Sequence, residues 1–87
     1  MPPDALAPVP GIPVRDLGDR VLLYEPVADV ETVIAGSGVE VWRLAVSGRG
    51  LVSIVEEVRR TTGDDGAAAE AAAFVEQLID RGLLHRG

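Results

Sequence analysis

Apolar residues near the end of the chain recur at helical spacing: Ala71, Phe74, Val75, Leu78 and Ile79. They form one stripe of an α-helix, with Glu76, Gln77, Asp80 and Arg81 on the opposite side. The alanines ahead of them are the strongest helix formers, so the pattern predicts a helix over 67–84. Gly82 suits the left-handed residue that commonly ends a helix, with Leu83 folding back on the last turn. The same periodicity predicts a helix over 51–60, with Leu51, Ile54, Val55 and Val58 inward and Glu56, Glu57, Arg59 and Arg60 outward. A third helix, over 38–46, buries Val41, Trp42 and Ala45. Ser37 with Glu40 three residues on reads as a capping box at its start. Asp64 or Asp65 can cap or favour the N-terminus of the last helix.

Upstream the pattern changes. Residues 20–25 (RVLLYE) and 30–34 (VETVI) are apolar and rich in β-formers, which predicts strands. Pro26 ends the first of these. Residues 14–17 form a shorter strand turned by Gly18-Asp19. Together they predict a three-stranded antiparallel meander. Five of the six prolines fall in the first thirteen residues, which predicts a flexible Pro-rich arm over 1–13 and a single domain over 14–87. The expected order is βββααα: an α+β, winged-helix-turn-helix-like fold.

Composition narrows the function. A chain of 87 residues holds one small domain of marginal stability, to which a bound partner adds. The net charge is −6 and all eight cations are arginines. That excess of acid argues against nucleic acid, whose affinity comes largely from phosphate neutralisation, and against an anionic membrane surface. Without cysteine there is no disulfide framework, thiolate nucleophile or cysteine metal site. No stretch reads as a signal peptide or reaches transmembrane length, and a cytoplasmic location is expected.

No catalytic constellation emerges. His85 is the single histidine and reads as a solvated tail, since a general base needs a partner that holds it. Asp64-Asp65 are adjacent and do not converge as metal ligands do. Ala35-Gly36-Ser37-Gly38 lacks the Lys-Ser/Thr of a phosphate loop, and Ser37 has no evident base to make it a nucleophile. The expectation is a protein that is not an enzyme, with no cofactor and no metal. A winged-helix DNA-binding or regulatory domain is the alternative. Against it, the helix over 51–60 opens with Leu51-Val52-Ser53, where a DNA reader carries Arg, Asn, Gln or Lys. A carrier domain is a third reading, but its modified serine sits in a D-S-L context, and Ser37 sits in G-S-G.

The order and spacing of these pieces resemble a known family. Residues 20–25, 30–34, Ser37-Gly38-Val39-Glu40-Val41-Trp42-Arg43-Leu44, the Gly48 turn, the helix from Leu51 to Val58, and 74–84 (FVEQLIDRGLL) resemble the PqqD-like fold. This fold is the recognition element of pathways that make ribosomal, post-translationally modified peptides (RiPPs). The resemblance spans about 14–84. Ile34-Ala35 stands where members often have Leu-Asn, Ser47-Gly48-Arg49 replaces the acidic-glycine turn of true PqqD proteins, and Pro26-Val27 lacks the usual glycine. V-W-R-L after the cap is most similar to stand-alone elements of lasso-peptide and related clusters.

The resemblance implies a non-catalytic peptide binder. The leader segment of a precursor peptide adds as an antiparallel strand beside the third strand, in its groove with the last helix, for delivery to a modifying enzyme or leader protease. Strand addition draws affinity from the unpaired backbone groups of a sheet edge and selectivity from side-chain pockets. The expected peptide-binding residues are Val30, Glu31, Thr32, Val33 and Ile34 on the strand, with Phe74, Gln77, Leu78 and Arg81 on the helix. Alternation lets only every second strand residue face the groove, and the sequence leaves open which.

Overall fold

Alternation along RVLLYE builds the centre of the molecule. In the computed structural model, which describes residues 5–86, Val21 and Leu23 are fully buried while Tyr24 faces solvent. This strand, β3 (Arg20–Glu25), lies between β2 (Val14–Asp16) and β4 (Val30–Ala35) in an antiparallel sheet. The register pairs Val21 with Ile34, Leu23 with Thr32 and Glu25 with Val30. These pairs share the face turned toward the helices, and Leu22–Val33 and Tyr24–Glu31 share the other. At the β2–β3 turn the Gly18 N–H donates to Asp16 Oδ1 at 2.8 Å. Arg43 then grips Asp16 with two hydrogen bonds, of 2.9 and 3.2 Å, fastening the hairpin to the first helix.

Three helices follow: α1 (Ser37–Val46), α2 (Leu51–Thr62) and α3 (Asp65–Asp80). Trp42, Ala45, Ile54, Val75 and Leu78 are buried and meet Val21, Leu23 and Ile34 from the sheet. The α+β class, the three-stranded meander and the three helices therefore match the expectation. Val58, assigned to the core, is partly buried at its edge.

The ends of α3 are set by local chemistry. Asp64 Oδ1 accepts from the Gly66 and Ala67 N–H groups at 2.8 and 3.3 Å, so of the two aspartates expected there Asp64 is the N-cap and Asp65 the first helical residue. At the other end, Gly82 takes φ +75°. The Leu83 N–H reaches back to the Leu78 carbonyl, and the Gly82 N–H to that of Ile79. This Schellman pair ends the helix at Asp80, with Gly82 as the terminating residue and Leu83 buried against the last turn, as expected of them. Fully burying a leucine contributes about 1.5–3 kcal/mol.

The expected capping box does not form. Gly36 is the N-cap, at φ 63° and ψ −138°, and no side chain caps α1. The glycine makes the strand-to-helix turn with its backbone, so the helix begins one residue earlier than expected. Ser37 becomes its first residue and cannot cap it.

The chain ends also differ from expectation. Of the Pro-rich arm, residues 1–4 lie outside the described residues. From Leu6 the segment forms β1 (Leu6–Pro8), which pairs antiparallel with β5 (Leu84–Arg86) in a second, two-stranded sheet. Ala5 and Leu6 are buried, and Leu6 N–H bonds the Arg49 carbonyl at 3.1 Å. Burial of Leu6 and a ladder to β5 hold this segment despite its prolines. Pro8 is tolerated because the narrow sheet asks little of its missing N–H. His85 lies within β5 opposite Ala7, exposed but in a strand, not a frayed tail.

Candidate functional site

The sheet order β2-β3-β4 makes β4 an edge, and no other strand among the described residues pairs with its far side. The Tyr24 N–H bonds the Pro13 carbonyl at 3.1 Å, on the β2 side. Backbone groups of an antiparallel strand alternate between its two neighbours. Leu23 and Glu25 therefore face β4 and bond with Thr32 and Val30. The N–H and C=O groups of Glu31, Val33 and Ala35 are left turned to the free edge. This edge carries no proline or lysine, the devices that commonly blunt such edges.

The side chains sort the other way. Ile34 is buried and Thr32 half-buried on the helix face, with Val30 at the more open end. Glu31 and Val33 stand on the outer face, where Val33 is 55% exposed. Backbone affinity and side-chain recognition along β4 thus come from alternate residues.

α3 runs beside this edge, held at two points. Near the end of β4, Gly38 lies between the strand and the helix. A Cβ there would stand 3.1 Å from Ile34 Cγ2 and 3.3 Å from the Phe74 ring, so glycine lets the first turn of α1 enter. Two turns further along α3, Arg81 Nη2 donates to Glu25 Oε2 and to Thr32 Oγ1, both at 2.6 Å. Thr32 Oγ1 in turn donates to Glu25 Oε2 at 2.8 Å. Phe74 lies at the Ile34 level and Arg81 at the Thr32 level, so α3 runs antiparallel to β4. A cleft of about 440 Å³ opens beyond the Ala35 end, between α1, α2 and α3.

Each residue expected at the site has a definite place. Thr32 and Arg81 meet directly across β4 and α3, Phe74 meets the Ile34 end of the strand at Gly38, and Val30 stands exposed opposite Glu25. Gln77 is exposed on α3. Ile34 and Leu78 lie in the core, 3% and 2% exposed. Glu31 and Val33 turn their side chains away from α3 but their backbones to the free edge. Sequence reasoning missed Glu25, Gly38 and Ala35. Glu25 had a signal, because it shares the parity of Val21 and Leu23 and so had to point inward.

Charge around the site is mostly acid. Glu31, Glu40 and Glu70 are exposed near the edge and cleft, and Arg81 is engaged by Glu25. Elsewhere, the hydrogen bond from Arg43 and the Gly18 N–H hold the Asp16 carboxyl below the usual carboxylate range. Arg60 does the same for Glu57. The Tyr24 hydroxyl donates to Asp29, which raises the phenol above its ordinary value. The opening turn of α2 presents Leu51, Val52 and Ser53, with no cation for a DNA base. Among the described residues, no cluster of His, Asp or Glu could hold a metal ion, and no helix is long and apolar enough to cross a membrane.

The family model for coenzyme PQQ synthesis protein D (PqqD) matches residues 21–84, from the first buried residue of β3 to the start of β5. The chain belongs to the PqqD family, the RiPP recognition elements. This family takes part in the biosynthesis of peptide natural products, binding precursor peptides and working with modifying enzymes. Comparison with curated proteins and with solved structures returned no match.

Proposed function

We propose that this protein binds the leader segment of a ribosomal precursor peptide as an added antiparallel strand along β4, beside α3. It then delivers the peptide to a separate modifying enzyme or leader protease. The observation that carries this reading is the row of backbone groups at Glu31, Val33 and Ala35 turned to a free edge, with a helix alongside. Those groups supply affinity independent of sequence. Inward-facing peptide side chains meet Val30, Thr32, Phe74 and Gln77, and outward-facing ones lie over Glu31 and Val33. Ile34 and Leu78 act from beneath, as the floor that fixes strand and helix.

In this reading the protein is no enzyme and needs no cofactor. It works in the cytoplasm, where ribosomal precursors are made, in a lasso-peptide or related pathway. The winged-helix-like arrangement then serves peptide recognition, with its wing edge given to a strand.

The test is a titration of the ¹⁵N-labelled protein with the leader encoded in the same gene cluster. Micromolar or tighter binding with amide shifts in 30–35 and 74–81 is the expected result. A leader that leaves those amides unmoved refutes the proposal.

A further inference from the structure

The cleft beyond the Ala35 end of β4 differs in chemistry from the strand edge. Its floor is apolar, made by Val41, Val58, Ala71 and Phe74. Glu40 and Glu70, both exposed, stand at its rim. Glu40 is only loosely neutralised, with Arg43 at 3.8 Å. At about 440 Å³ the cleft falls in the ~300–1,000 Å³ range of pockets that enclose a small ligand, so a large side chain and part of its neighbour fit.

The cleft is continuous with the edge, because Ala35 lines the one and ends the other. The opposite end of the groove is already occupied by the Arg81–Glu25–Thr32 contact. Direction follows from pairing. A strand antiparallel to β4 places its first residues opposite Ala35 and its later ones opposite Glu31. Whatever precedes the paired run in the peptide therefore lies over the cleft.

We propose that this cleft selects a side chain just upstream of the strand-forming segment of the leader: an aromatic or large aliphatic residue with a lysine or arginine beside it. The apolar floor takes the first, and Glu40 with Glu70 attract the second. This inference rests on strand addition along β4 and adds to it an anchor, a charge preference and a polarity.

A display library of random 16-residue peptides, selected on the wild-type protein, tests it. Enriched peptides should carry the apolar residue with its basic neighbour within three positions upstream of a strand-like run. They should bind Ala67→Leu, which fills the cleft from a partly exposed position on α3, at least tenfold more weakly. Glu70→Lys, a surface change, should weaken them three- to tenfold, and its amide spectrum reports that the fold persists. Peptides that lose binding on Val33→Pro yet bind both cleft variants within twofold would overturn the anchor and leave strand addition standing. Enrichment of the apolar residue only downstream would do the same. Peptides indifferent to Val33→Pro, or no enrichment at all, would overturn both.

Discussion

Arg81 and Glu25 are joined by a 2.6 Å hydrogen-bonded ion pair across fifty-six positions of sequence, from the end of α3 to the end of β3. Thr32 completes the contact from β4, so one guanidinium ties the last helix to both β3 and β4. The pair is asymmetric: the Glu25 side chain is 15% exposed and that of Arg81 45%. Removing Arg81 leaves a mostly covered carboxylate with Thr32 as its remaining donor. Solvent screening at the arginine limits the loss, and Arg81→Ala should cost about 1 kcal/mol. At a urea slope on the order of 1 kcal/mol/M, the unfolding midpoint falls by about 1 M. Thr32→Val in the Arg81→Ala background should cost less than in the wild type, because the network is already broken.

Proline at adjacent positions separates the two roles of β4. Thr32 bonds β3 through its backbone, whereas the Val33 N–H faces the free edge. Thr32→Pro should remove a ladder bond and leave its carbonyl partner on β3 unpaired, lowering stability by about 1–3 kcal/mol. Val33→Pro should keep the fold, since proline is accepted where the N–H faces solvent, while weakening leader binding at least tenfold. Circular dichroism melts and a binding isotherm for each variant check the pair.

The strand-to-helix turn depends on Gly36. At φ 63° and ψ −138° a side chain is strained, and Gly36→Ala should cost about 1–3 kcal/mol. Each kcal/mol lowers Tm by about 4–8 °C for a domain of this size, so the melt should fall by several degrees. Ser37→Ala, beside it, should change Tm little because Ser37 caps nothing. Asp64→Ala should cost about 1 kcal/mol through loss of the α3 cap. A larger effect at Ser37 than at Asp64 in thermal melts would contradict this assignment of caps.

These contrasts show where the sequence was legible. The end of α3 was readable because Gly82-Leu83 acts through backbone bonds that reach back only three and five residues. The start of α1 was misread by one residue because both Gly36 and Ser37 are good N-cap residues, and only the backbone angle separates them. β1 was invisible: its partner β5 lies at the other end of the chain, and a Pro-rich composition masks a three-residue strand. At the site, spacing put Phe74 and Leu78 on one stripe, but it could not say that Leu78 is sealed into the core while Phe74 stays half-buried and lines the cleft. Glu25 was missed because its partner, Arg81, is contributed by a helix packed only in the finished fold.

Acid should weaken the tie between the β2–β3 hairpin and α1. The Asp16 carboxyl is held below its ordinary range by Arg43 and the Gly18 N–H. A group whose folded pKa is depressed stabilises the protein above its unfolded value, near ~3.9 for aspartate, and loses that contribution as pH falls through the folded value. Asp16→Asn should therefore destabilise at neutral pH, and its difference from wild type should shrink as pH falls below about 4. Urea midpoints of the two proteins from pH 7 down to the acid limb provide the comparison. A difference that grows toward acid would reverse the sign.

Amide hydrogen exchange at Glu31, Val33 and Ala35, with and without the leader peptide, tests strand addition most directly. In the free protein these three N–H groups should exchange fast, while those of Val30, Thr32 and Ile34 are protected by the β3 ladder. Saturating leader should slow exchange at Glu31, Val33 and Ala35 at least tenfold, giving continuous protection along β4. Tight leader binding with exchange at these three amides unchanged would contradict the account, and would place the peptide elsewhere on the molecule.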